Sequence, residues 1–121
     1  MAVRVLALVR DLLLRSRIEA AAEAAGVEVA FAANFDRVRD IAAATTITLV
    51  IADLSDSTFE PKTTADELTA ACPGANLIGF ASHIDLKVLT SARSYGFAQT
   101  FSRSEFVTRL PDLLNRPSDR E

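Results

Sequence analysis

The side chains with the most chemistry to offer cluster just after apolar runs. Arg10 and Asp11 follow a run of Val, Leu and Ala; Asp53 closes the most strand-like run in the chain, with Asp56 shortly after it; Ser102 and Arg103 follow Ala98 to Phe101. An aspartate in such a place can cap the turn or helix that follows by accepting backbone amides, and Asp11 suits the N-cap of a first helix. Asp56 lies among Ser55, Ser57 and Thr58, which would serve either as a small ligand cluster or as ordinary turn and cap residues, the commoner use of such runs. His83 is the single histidine and lies near a strand end, where a general base would stand, but without a partner pattern it reads as a surface residue. Cys72 is the single cysteine, so neither an intramolecular disulfide nor a thiolate metal site is open to it. At a helix end beside Pro73 it reads as a small packing residue. No Ser or Cys stands in a nucleophile motif with His83, which argues against a hydrolase. The turn Val9-Arg10-Asp11-Leu12 contains no Gly, which argues against a phosphate-cradling loop or a dinucleotide fingerprint.

The elements that must position these residues alternate. Residues 3–9 are apolar on both parities, as in a strand buried on both faces of a parallel sheet. Leu14, Ile18, Ala21, Ala22 and Ala25 recur at helical steps, and Gly26 ends that helix. Residues 27–33 read as a second strand, and Asn34 as the N-cap of a helix carrying Phe35, Val38, Ile41 and Ala42 on one side. Residues 46–52 form the third strand. Thr64 and Glu67 present a capping box for a helix that runs to about Cys72. Residues 76–80 make the fourth strand, followed by a helix capped by Asp85, with Leu86, Leu89 and Ala92 facing inward and Gly96 at its end. Residues 98–101 make the fifth strand, and Ser104 opens a last helix in which Pro111 predicts a kink or a break.

Five βα units in strict alternation imply an α/β fold, a parallel sheet covered by helices on both faces. Sites in such folds lie outside the carboxyl ends of the strands. The positions to inspect are therefore Arg10 and Asp11, residues 53–56, residues 81–83, and Ser102 with Arg103.

Composition narrows the function. The chain has 121 residues, 50% hydrophobic and 24% charged, with a formal charge of −3, which suits one domain with a substantial core, and not a disordered chain. Residues 1–115 read as that domain and residues 116–121 as a frayed tail. Interspersed acids and bases remove the basic footprint of a nucleic-acid binder, and the Phe residues form no stacking platform. No apolar run reaches the roughly 18 residues of a membrane span. The basic, apolar start resembles a targeting segment only superficially, because Arg10 and Asp11 interrupt it midway. One cysteine suits a reducing compartment, so a cytoplasmic protein is expected.

The segments "RVLALVRD", "TLVIADLSD", "LIGFASHID" and "GFAQTFSRS", taken in order, resemble the receiver domain of bacterial two-component response regulators, over nearly the whole chain. The resemblance implies a CheY-like, flavodoxin-like (βα)5 fold with strand order 2-1-3-4-5. It implies that Asp53 stands where receivers carry the phosphoacceptor aspartate, and that Asp11 and Asp53 are the positions that would hold Mg²⁺. It also implies a non-enzymatic signalling protein whose partners are a histidine kinase or a downstream effector. The fourth and fifth helices would be the contact surface, with a homodimer as one option. The length leaves no room for an output domain, so a stand-alone receiver is expected.

The sequence departs from the receiver pattern at several positions. The acidic pair is Arg10-Asp11. The Ser/Thr position falls on Ala81, or on Ser82 after a one-residue slip. The Lys position holds Arg103. Phosphoryl transfer to a carboxylate depends on charge neutralisation, and Mg²⁺ needs oxygen ligands, so a cation at position 10 works against both. An Arg beside two carboxylates can instead pair with them and take the place of the metal, keeping Asp53 ionised. The expectation is a receiver with an incomplete phosphoacceptor site. A small-molecule-binding flavodoxin-like domain that phosphorylation does not regulate is the alternative.

Overall fold

A computed structural model of the chain describes residues 4–82 and 86–115. Strands β1 (Arg4–Leu8), β2 (Glu28–Phe31), β3 (Leu49–Asp53), β4 (Asn76–Ala81) and β5 (Gln99–Ser102) alternate with helices α1 (Leu12–Ala25), α2 (Phe35–Ala44), α3 (Pro61–Ala71), α4 (Leu86–Ser94) and α5 (Arg103–Asn115). The strands form one five-stranded sheet in the order β2-β1-β3-β4-β5, and every pairing is parallel. This is the α/β architecture and strand order expected from the sequence.

Both faces of the sheet are apolar because each strand alternates its side chains between two helical layers. Val5, Ala7, Ile51, Ile78 and Phe80 pack with Leu14 and Ile18 of α1 and with Phe106, Leu110 and Leu114 of α5. The Phe80 and Phe106 rings stack there with centroids 4.4 Å apart. Leu6, Leu8, Val50, Ala52 and Leu77 face the other way, against Val38 and Ile41 of α2, Leu68 of α3 and Leu89 of α4. Gly79 lies in mid-strand because a Cβ there would come within 2.5 Å of Leu54 Cδ1.

The termini of α1 and α2 follow the sequence reading. Asp11 Oδ1 accepts the Leu14 amide at 3.0 Å, Asn34 Oδ1 accepts the Arg37 amide at 2.9 Å, and Gly26 closes α1 at φ 72°. Other boundaries differ. Helix α3 begins before the proposed Thr64–Glu67 capping box: Pro61 fills its first turn, where a missing amide costs nothing, and Glu60 caps it by accepting the Lys62 and Thr63 amides. Thr64 is consequently buried inside the helix, and Glu67 pairs with Arg39 at 2.6 Å.

Helix α5 starts at Arg103, not at Ser104, and runs through Pro111 as one element, without the expected break. Pro111 is exposed, while Phe106, Leu110 and Leu114, on either side of it, share one buried face that holds the helix to the sheet. The cap at Asp85, the side chain of Leu86, His83, residue 3 of the first strand and the tail 116–121 lie outside the described residues.

Candidate functional site at the carboxyl ends of the strands

Asp53 is the last residue of β3 and only 7% exposed. Strand alternation turns it to the same side as Leu49 and Ile51, toward the amino ends of α1 and α5. Its Oδ1 accepts the Ser55 amide at 3.0 Å. Burial pushes its carboxyl above the ordinary aspartate range. The Ser55 amide and the charge of Arg103 pull the other way, while Asp56 and Asp11 add to the rise. The nearby cation, Arg103, favours the ionised form, but desolvation outweighs it in the direction of the shift.

Asp11 has both oxygens engaged. Oδ1 caps α1, and Oδ2 accepts Arg103 Nη2 at 2.9 Å. The Arg103 bond, followed by the Leu14 amide, holds the Asp11 carboxyl below the usual range. Arg103 reaches it because β5 passes into α5 without a loop. Ser102 Oγ accepts the Glu105 amide at 3.2 Å and Glu105 Oε1 accepts the Ser102 amide at 3.4 Å, a capping box that seats Arg103 in the first turn of α5. Its Ser-x-x-Glu spacing was present in the sequence and is the signal that would have placed this helix start.

Arg10 does not reach Asp11 or Asp53; it is a half-exposed guanidinium and not an internal partner of the two carboxylates. Val9 is buried against α1 and α5, so the next residue turns to the opposite side, over the segment after β3. There Arg10 Nη1 donates to Thr58 Oγ1 at 2.7 Å and stands 3.5 Å from Asp56 Oδ1. Asp56 also accepts the Thr58 amide at 2.9 Å, capping the single 3-10 turn Ser57–Phe59. The Asp56 cluster is thus turn and cap chemistry with a guanidinium attached, and Thr58 is a partner that sequence spacing did not indicate.

Ala81 ends β4, paired with Ser102 and fully buried on the α2–α3–α4 side. Ser82 comes next, and its amide donates to Ser55 Oγ at 2.8 Å. It lines a groove of about 600 Å³ between the amino ends of α1 and α5. Cys72 is buried, and desolvation raises its thiol pKa, in keeping with a packing role.

The donor set does not fit a hard dication. Asp11 spends one oxygen on a helix cap and the other on a guanidinium, and Asp53 is buried with an amide on Oδ1. Among the described residues no group of three or more His, Cys, Asp or Glu is placed to hold a metal. Among the described residues no helix is long and apolar enough to cross a membrane.

No family model and no curated protein matches the chain. Solved structures do. A response regulator from Thermotoga maritima superposes with a TM-score of 0.77 at 15% identity over 93% of this chain and 94% of its own. The receiver domain of the sensor histidine kinase PA1611 from Pseudomonas aeruginosa, which has a magnesium ion coordinated in its active-site cleft, gives 0.76 at 13% identity over 96% of this chain and 97% of its own. NtrX from Brucella abortus, in complex with ADP, gives 0.82 at 18% identity, but this chain covers only 27% of that longer protein. The fold is that of CheY-like receiver domains.

Proposed function

We propose that this chain is a receiver-like signalling protein that acts by protein–protein contact, with Asp53 retained at the phosphoacceptor position inside an incomplete site. The observation that carries this reading is the Arg103–Asp11 bond beside a buried Asp53. The residue that would share a metal with Asp53 already has a fixed positive partner. Arg103, at the receiver's Lys position, keeps the charge but not the compact shape of an ammonium, and its planar fork is engaged by Asp11. The receiver Ser/Thr position falls on Ala81, which brings no hydroxyl and would weaken any link from a phosphoryl group to the α4–β5–α5 face, or, after a one-residue slip, on Ser82, which brings one. Partners on this reading are a histidine kinase or downstream effector, with a homodimer as one arrangement, and the protein is cytoplasmic and non-enzymatic. The test is intact-mass spectrometry after incubation with a small acyl phosphate and Mg²⁺. The expected result is an unmodified chain. A stable phosphoryl adduct that disappears in Asp53→Asn would establish a working phosphoacceptor and overturn the incomplete-site reading.

A further inference from the structure

We infer that Ser55 is a positioning residue that couples Asp53 to the segment after β4, through two hydrogen bonds in series. The Ser55 amide donates to Asp53 Oδ1 at 3.0 Å, and Ser55 Oγ accepts the Ser82 amide at 2.8 Å. One residue thus meets the buried carboxylate with its backbone and the exit of the next strand with its side chain. Register explains the meeting. Asp53 pairs with Phe80 at the end of the β3–β4 ladder, and the Leu54 amide still donates to the Phe80 carbonyl at 2.8 Å. Two residues beyond that pair, on each strand, stand Ser55 and Ser82, and there the Ser82 amide bonds a side chain in place of a ladder carbonyl.

Ala81, the last residue of β4, is fully buried and offers no side-chain donor or acceptor. Among the described residues no hydrogen bond joins Asp53 to Ser82 directly. The bond to Asp53 fixes where the Ser55 backbone stands, and with it Oγ, so releasing that bond frees the acceptor that holds Ser82. By linkage, a partner that displaces the Ser82 segment is felt in turn at Asp53. Ser55 is itself exposed, so replacing its side chain leaves the core intact. The coupling deepens the proposed function and rests on that reading for its use: the segment after β4 leads into α4, so the retained Asp53 gains a link to the face proposed for partners. The link runs through the amide of residue 82, whichever of Ala81 and Ser82 stands at the Ser/Thr position.

The test is a double-mutant cycle on the full chain, read as the hydrogen-exchange rate of the Ser82 amide relative to the buried Val50 amide, which reports global stability. Asp53→Ala, which removes the acceptor of the Ser55 amide, should speed Ser82 exchange about tenfold, and Asp53→Asn, which keeps an oxygen acceptor, should leave it within about twofold of the parent. Ser55→Ala should speed it alone, and adding Asp53→Ala to that variant should then change it by less than about twofold. Ser55→Thr, which keeps the hydroxyl, should restore the full response to Asp53→Ala. In the reverse direction, with Asp53 left in place, Ser55→Ala should move the Asp53 carboxyl ¹³C resonance and Ser55→Thr should bring it back. A phosphoryl adduct on Asp53 would overturn the incomplete-site reading and leave this coupling standing, whereas loss of the coupling would leave that reading intact. Ser82 exchange indifferent to Asp53→Ala, an equal response with and without Ser55→Ala, or an Asp53 resonance unmoved by Ser55→Ala would overturn the coupling.

Discussion

Arg103 donates from Nη2 to Asp11 Oδ2 at 2.9 Å, tying the first turn of α5 to the residue that caps α1. The two residues are 92 apart in sequence and come together because β1 and β5, on either side of the β3–β4 pair, end at the same edge of the sheet. A carboxylate so placed is a cap and an ion-pair partner at once.

Removing the cation should be visible in the carboxylate. Arg103 is the largest cause of the depressed Asp11 pKa, with the Leu14 amide second. In Arg103→Gln the Asp11 pKa should rise toward the ordinary value of about 3.9 while staying somewhat below it, because the cap remains. A lowered folded-state pKa contributes stability above the unfolded value that is lost as pH falls through the folded value, so in the variant this loss moves to higher pH. Carboxyl ¹³C titration by NMR reads the shift directly. An unchanged Asp11 pKa would show that the pair does not form in solution.

Asp53 has the opposite sign. Burial raises its folded-state pKa, so its favourable contribution is complete only below the unfolded value of about 3.9 and is lost as pH rises through the folded value. Above the unfolded value, keeping this group buried opposes folding. Asp53→Asn should therefore be more stable than the parent at pH 7, with the difference shrinking on acidification and vanishing below the unfolded pKa. Urea denaturation across a pH series checks this. A variant less stable than the parent at pH 7 would mean that the pocket stabilises the anion.

Thr64 buries its hydroxyl inside α3, and among the described residues Oγ1 has no hydrogen-bond partner. Replacing it with the isosteric Val removes a desolvated polar group and leaves the packing in place. Thr64→Val should gain about 1 kcal/mol, raising the thermal midpoint by several degrees. A clear loss of stability would show that the hydroxyl is bonded in solution.

The fold was legible because its causes are local and repeated. The apolar parity of residues 3–9 and 46–52, the helical spacing from Leu14 to Ala25, and the caps at Asp11 and Asn34 each specify an element without reference to the rest of the chain. The misplaced helix starts have the same origin. Thr64-x-x-Glu67 and Ser102-x-x-Glu105 are both valid box spacings, and only Pro61 in one case and the strand register in the other decide which is used.

At the site, positions were legible but pairings were not. Which of Arg10 and Arg103 meets Asp11 depends on which way the chain turns after Val9 and on where α5 begins, and both are set by tertiary packing. The groove between α1 and α5 left no sequence motif because its lining comes from separate segments.

The most direct test of the account is a magnesium titration of the parent protein, followed by amide NMR. Because Asp11 is already bonded to Arg103 and Asp53 is buried, no saturable site is expected at millimolar magnesium. Saturable binding with shifts centred on Asp11 and Asp53 would contradict it, since the ion pair would then be yielding to a metal site that the chain still possesses.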